Sequence, residues 1–199
     1  IDSRLQQDSI SLNLTHDKLE PFQKVRVIGK FRPKEEFLLD NIIHQGKPGY
    51  YLISPFEITN TSQTILVNQG WIPQGPDRNI LPPITTSNNE TSLTGILSFP
   101  RSIPVILGGI DQPISDNPPL WYYMDINIFE NTAGYEVMPL ILKLDPNPES
   151  SLIRQWPKFE AKSGMHIGYA IQWFVFALFV LIAFLGKSVK KNNKGSNHD

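Results

Sequence analysis

A histidine, His166, heads an uncharged run of 20 residues from Ile167 to Gly186. On a helix, Tyr169, Trp173, Ala177, Val180 and Phe184 follow it down one face, at offsets of 3, 7, 11, 14 and 18. An imidazole above a mostly aromatic stripe can hold a large, flat, apolar molecule whose metal takes the ring nitrogen. The acidic groups of such a molecule would stay at the wet end, near Arg154, Lys158 or Lys162. Haem fits that description, because one histidine suffices as its protein ligand. The same residues also compose an ordinary interfacial belt, in which Trp and Tyr sit at headgroup level and the histidine is a polar anchor. Gln172 lies within the run on another face, where an amide needs a partner helix or a bound group to satisfy it.

Other chemistry is thinly represented. The chain has no cysteine, which removes disulfides, thiolate metal sites, thiol nucleophiles and thioether-linked haem. The G-x-S-x-G elbow, the H-E-x-x-H zinc pair and the phosphate-cradling G-x-x-x-x-G-K loop are all missing, so a non-catalytic protein is predicted. Glu35 and Glu36 are adjacent carboxylates, but neighbours on a strand point to opposite faces, and they read as a solvated strand end. His16 and His44 stand in polar, turn-like contexts without a partner at metal-ligand spacing and read as surface residues. Asn13-Leu14-Thr15, Asn60-Thr61-Ser62 and Asn89-Glu90-Thr91 match the glycosylation pattern, which matters in a eukaryotic secretory route alone.

The elements that must position His166 follow from length and charge. Twenty residues at helical rise cover roughly 30 Å, the thickness of a bilayer's hydrocarbon core. A transmembrane helix is therefore predicted over residues 166–186, behind an external domain over 1–165 and ahead of a basic tail over 187–199. The formal charge of −1 conceals an asymmetry: residues 1–166 carry 14 Lys and Arg against 18 Asp and Glu, whereas the tail carries four lysines against Asp199. Lysines beside a span stay on the cytoplasmic side, so Lys187, Lys190, Lys191 and Lys194 place the C-terminus inside and the domain outside. A mildly acidic domain offers no basic stripe for nucleic acid, and the lysine tail suits anionic headgroups of the lipid bilayer. The chain opens on Ile1 rather than methionine, and a preceding signal or membrane helix is expected.

The external domain reads as mainly β, a small antiparallel barrel or sandwich of six to eight strands. Lys24 to Val27 alternates, Glu36 to Leu39 and Tyr50 to Ile53 flank a turn at Gly46-Lys47-Pro48-Gly49 and should pair as a hairpin, and Thr64 to Asn68 is a candidate central strand. Gln74 to Glu90 is a loop by composition, and Ser92 to Leu97 returns to alternation. Residues 100–119 hold five prolines and form the longest irregular segment. Trp121 to Asp125 starts a strand, Ile126 to Ala133 is a short helix capped by Gly134, and Val137 to Leu144 is the last strand, with Pro139 marking an edge or bulge. Arg4 to Ser11 is expected to add a helical turn or two.

Four segments, in order and spacing, carry a family resemblance. They are Val25-Arg26-Val27-Ile28-Gly29-Lys30-Phe31, Ile65-Leu66-Val67-Asn68-Gln69-Gly70-Trp71-Ile72-Pro73, Pro118 to Asp125 with Trp121 and Asp125, and His166-Ile167-Gly168-Tyr169-Ala170-Ile171-Gln172-Trp173-Phe174. Together they resemble the Surfeit locus protein 1 family over nearly the whole chain. The resemblance implies an accessory protein for biogenesis of haem-copper cytochrome c oxidase, its domain held between two membrane helices. It implies binding of haem a and delivery to oxidase subunit 1, alongside other assembly factors. His166 is then the metal ligand, with Tyr169 and Trp173 as pocket walls. The implied site is the bacterial inner membrane with the domain in the periplasm, or the mitochondrial inner membrane. The competing reading is a protein-interaction scaffold that binds no haem. One departure stands out: the family usually has arginine before the Gly-Trp pair, where this chain has Gln69.

Overall fold

The computed structural model describes residues 9–13, 19–100, 119–157 and 163–194. The chain divides into two compact units, Ile1–Trp156 and Pro157–Asp199. The first is a mainly β unit with, among its described residues, eight strands: β1 (Ile10–Ser11), β2 (Lys24–Phe31), β3 (Phe37–His44), β4 (Lys47–Ile58), β5 (Thr64–Pro73), β6 (Thr91–Ser98), β7 (Leu120–Trp121) and β8 (Ile141–Leu144). Among its described residues it also holds one α-helix, α1 (Ile126–Ala133), and a 3-10 turn at Pro33–Glu35.

Alternation sets the strands. In β2, Val25, Val27 and Phe31 are buried while Arg26, Ile28 and Lys30 face out. The sheet order is β1-β2-β6-β8-β5-β4-β3-β7, and β2 also pairs with β4, so β2, β6, β8, β5 and β4 close into a five-stranded barrel. Its interior is filled from all five staves, including Val27, Phe56, Val67, Leu97 and Leu142. On the outer face of β5 and β8, Leu66 and Ile141 join a second apolar cluster with Phe37, Trp121 and Phe129 of α1. Phe37 and Trp121 stack at 4.4 Å.

Several expectations hold at residue level. β3 and β4 pair antiparallel, and α1 runs from an Asp125 cap, whose carboxylate accepts the N–H groups of Asn127 and Ile128, to Gly134 in the left-handed region. Others are corrected. The barrel is not purely antiparallel, because β8 enters parallel to β5, and β1 and β7 add parallel to β2 and β3. The β3–β4 turn is Gln45-Gly46, both at positive φ, so the strand already resumes at Lys47. The last strand starts at Ile141, beyond Pro139, and the strand at Trp121 stops there.

Ile10–Ser11 is a strand rather than a helical turn, while residues 1–8 lie outside the described residues. A side-chain clamp holds β1 in place of a longer ladder. Asn13 donates to the carbonyls of Ile28 and Thr59, both at 2.9 Å, and accepts the Ile28 N–H at 2.8 Å. Most of the proline-rich 100–119 segment also lies outside the described residues.

The second unit contains α2, Ser163–Lys194, 32 residues long. Its side chains from Ile171 to Phe184 are exposed and, Gln172 apart, apolar. Among the described residues no helix is long and apolar enough to cross a membrane.

Candidate functional site

Strand β4 changes neighbours at Ser54 and Pro55. Up to Ile53 one of its edges pairs with β3, and from Phe56 onward that edge pairs with β2. Pro55 has no N–H to leave unpaired at this fork, and its carbonyl accepts the Arg32 N–H at 3.0 Å. Across the β4–β5 ladder, β5 carries a bulge: Asn68 opposes Ile53 and Gly70 opposes Leu52, leaving Gln69 without a partner. Gly70 sits at φ +142, and a Cβ there would come within 2.8 Å of Leu152 Cβ. The bulge aims the Gln69 side chain at the fork.

There it completes a buried polar ring. The Gln69 amide donates to Ser54 Oγ at 2.7 Å and to Thr86 Oγ1 at 3.0 Å. Ser54 in turn donates to Glu36 at 2.9 Å, and the Thr86 hydroxyl also bonds the Glu36 carboxylate. Both amide hydrogens reach hydroxyls, and both hydroxyls reach one carboxylate, so the donors and acceptors balance. Glu36 is therefore not a solvated strand end; it is 7% exposed. Its neighbour Glu35 faces elsewhere, accepting the Tyr135 hydroxyl and pairing with Arg32 at 3.6 Å. The Arg32 guanidinium lies 4.6 Å over the Tyr135 ring. Burial and then the Glu35 carboxylate push the Tyr135 hydroxyl well above its ordinary range.

Burial pushes the Glu36 carboxyl above its ordinary 4.5, against the hydroxyls of Thr86 and Ser54, which favour the ionised form. The folded chain thus holds the Glu36 proton more tightly than the unfolded chain does. This contribution to stability is fully present below pH 4.5 and is lost as pH rises through the raised value. Glu36→Gln should flatten that decline. The check is urea unfolding from pH 4 upward: the two proteins should diverge above about 4.5, with the glutamine form the more stable at neutral pH. Parallel curves would show that Glu36 is not titrating in this setting.

Of the residues expected to hold a ligand, His166 falls in α2 and its side chain lies outside the described residues, as do Lys158 and Lys162. Tyr169 and Trp173 stand one helical turn apart and are 63% and 71% exposed. Trp173 meets Phe176 edge-on at 6.2 Å. His16 lies outside the described residues, and His44 is half-buried against Trp71, ring centres 5.1 Å apart. No group of three or more His, Cys, Asp or Glu among the described residues could hold a metal ion. The Glu36 ring was not legible beforehand, because its members come from four separate segments.

The first unit is a closed five-stranded β barrel with flanking strands, and along the chain it is followed by a long helix with exposed apolar side chains. This chain belongs to the SURF1 family, whose model matches residues 1–178. It is similar to a SURF1-like protein of Caenorhabditis briggsae, 24% identical over 93% of this chain and 64% of the relative. It is 25% identical to a SURF1-like protein of Caenorhabditis elegans over 92% of this chain and 62% of the relative. A SURF1-like protein of Rickettsia prowazekii (strain Madrid E) is 26% identical over 93% of this chain and 75% of the relative. The chain thus spans less than two thirds of the length of the two nematode relatives.

Proposed function

We propose that this chain is a membrane-anchored biogenesis factor for cytochrome c oxidase, the work with which the SURF1 family is generally linked, and that it carries haem a to the oxidase's catalytic subunit. The observation that supports the reading most directly is the exposed aromatic and aliphatic surface of α2. Tyr169, Trp173, Phe176, Phe179 and Phe184 all lie open, and an apolar surface of this extent calls for lipid or an apolar ligand to cover it. The uncharged run from Ile167 to Gly186 extends past the described side chains at both ends and has the 20 residues a bilayer takes. The lysines that follow it favour a cytoplasmic C-terminus and an outward-facing barrel, in a bacterial inner membrane or its mitochondrial equivalent.

The residues present suit a porphyrin. His166 supplies one imidazole nitrogen at the head of the run, and Tyr169 and Trp173 supply flat apolar walls below it. Haem a is cargo here, and its iron chemistry belongs to the oxidase that receives it. What this chain contributes is ligation, exclusion of water and release, without catalysis.

The test is an absorption spectrum of full-length protein, purified in detergent from cells that make haem a. A Soret band is expected, and His166→Ala should remove most of it. Full pigment in His166→Ala would overturn the assignment of the ligand. Pigment-free protein that still captures oxidase subunit 1 or other assembly factors would instead make the chain a scaffold.

A further inference from the structure

Arg154 is the anomaly of the β unit. Its Nε donates to the Gln69 carbonyl at 2.8 Å and its Nη1 to the Asp145 carbonyl at 3.1 Å, so two backbone oxygens fix the guanidinium. No carboxylate among the described residues forms an ion pair with it. The Asp145 carboxylate is instead within 3.7 Å of Lys24. Arg154 is half-buried, so its charge is partly desolvated and would draw an anion entering from outside the fold. Burial, partly countered by the charge of Asp145, duly holds the Arg154 guanidinium below its ordinary range. Its third nitrogen, Nη2, has no partner among the described residues.

Arg154 also lines a cleft of about 320 Å³. Phe31, Leu93 and Leu144 give this cleft an apolar floor, and Thr85, Thr86 and Ser87 line it with hydroxyls. Among the described residues the one acid that lines it is Glu90, whose carboxylate accepts the Thr59 hydroxyl at 2.7 Å. We propose that this cleft is a binding site for a small monocarboxylate with a short apolar body. The guanidinium supplies the charge through Nη2, the Thr85 and Ser87 hydroxyls complete the carboxylate's hydrogen bonds, and the floor takes the hydrocarbon. A single guanidinium among neutral hydroxyls matches one negative charge better than the two of phosphate, and the apolar floor suits a hydrocarbon body. The volume lies at the small end of ligand sites and excludes a macrocycle. None of the residues that line it is among those proposed to hold haem.

Full-length protein in detergent, titrated with sodium benzoate, should show saturable NMR shifts confined to the residues 85–87 and Arg154. Benzamide, the neutral analogue, should bind at least tenfold more weakly. Arg154→Met should abolish the response. Because that change also removes two bonds to the backbone, Thr85→Val serves as the second variant: its hydroxyl has no protein partner among the described residues, so it should weaken benzoate several-fold with unchanged unfolding. Equal binding of benzamide, tighter binding of inorganic phosphate than of benzoate, or a Thr85→Val protein that binds benzoate unaltered would each overturn the proposal. So would the absence of any saturable shift. Haem loading plays no part in the readout, so failure here leaves the His166 assignment untouched.

Discussion

Trp71→Ala should destabilise the barrel by about 3 to 5 kcal/mol, the range for emptying a buried aromatic site. Trp71 is 3% exposed, and its indole N–H donates to the Ile42 carbonyl at 3.0 Å. That bond ties β5 to the irregular stretch of β3, where the register shifts between Leu39 and Ile42. The backbone of Trp71 also exchanges two hydrogen bonds with Ile153, at 2.8 and 2.9 Å. Gly49 lies so close to the indole that a Cβ on it would come within 2.5 Å of the ring. Trp71→Phe separates the contributions. It keeps most of the packing but strands the Ile42 carbonyl, and should cost about 1 to 3 kcal/mol. Urea unfolding of the full chain in detergent, followed by near-UV circular dichroism, reads both. Equal losses in the two variants would mean that the donor, not the ring volume, holds this corner.

Gly29→Ala is the second large effect, expected to exceed about 3 kcal/mol because overpacking here falls on backbone that cannot yield like a side chain. Gly29 opposes Ile58 at the seam where β2 meets β4, and a Cβ would run into the Glu57 carbonyl and come within 2.7 Å of Phe56 Cε1. Gly95 does the same on the other side of β2's partner, against the carbonyl of Lys143 in β8. These glycines let neighbouring staves approach where the sheet bends into a barrel. Gly46→Ala is the control. Gly46 sits at φ +77 with open space around its missing Cβ, so it carries the backbone penalty alone, about 1 to 2 kcal/mol. A Gly29→Ala protein no less stable than Gly46→Ala would show that the seam parts without cost.

The strands were legible where local pattern suffices. Alternation in Lys24 to Val27 and the branched run from Thr64 to Asn68 both mark real strands, and Asp125 and Gly134 bracket α1 because capping chemistry is local. What the sequence conceals is pairing between distant segments. Nothing near Leu142 says that it will lie parallel to Val67, and Ile10–Ser11 is a strand through its pairing with distant Val25 and Arg26, which Asn13 reinforces by reaching Ile28 and Thr59. The Gln69 bulge was missed for the same reason. Gln69 departs from the usual arginine, but its role becomes visible only beside Glu36, which lies 33 positions earlier in the chain in a pattern typical of a solvated strand end. For the proposed ligand site the limit is different: helical spacing relates Tyr169 to Trp173, while what covers that face lies beyond one chain's pattern.

Strand β8 wedges between β5 and β6, and it is the last stave to be synthesised. Until Leu144 has emerged from the ribosome or translocon, the nascent chain has two raw edges, each with unspent N–H and C=O groups. Closure by such distant partners is slow, so the half-made sheet is open to sticking to its neighbours for longer than a hairpin protein of equal size. Truncations that stop short of residue 141 should therefore emerge as aggregation-prone or protease-sensitive products.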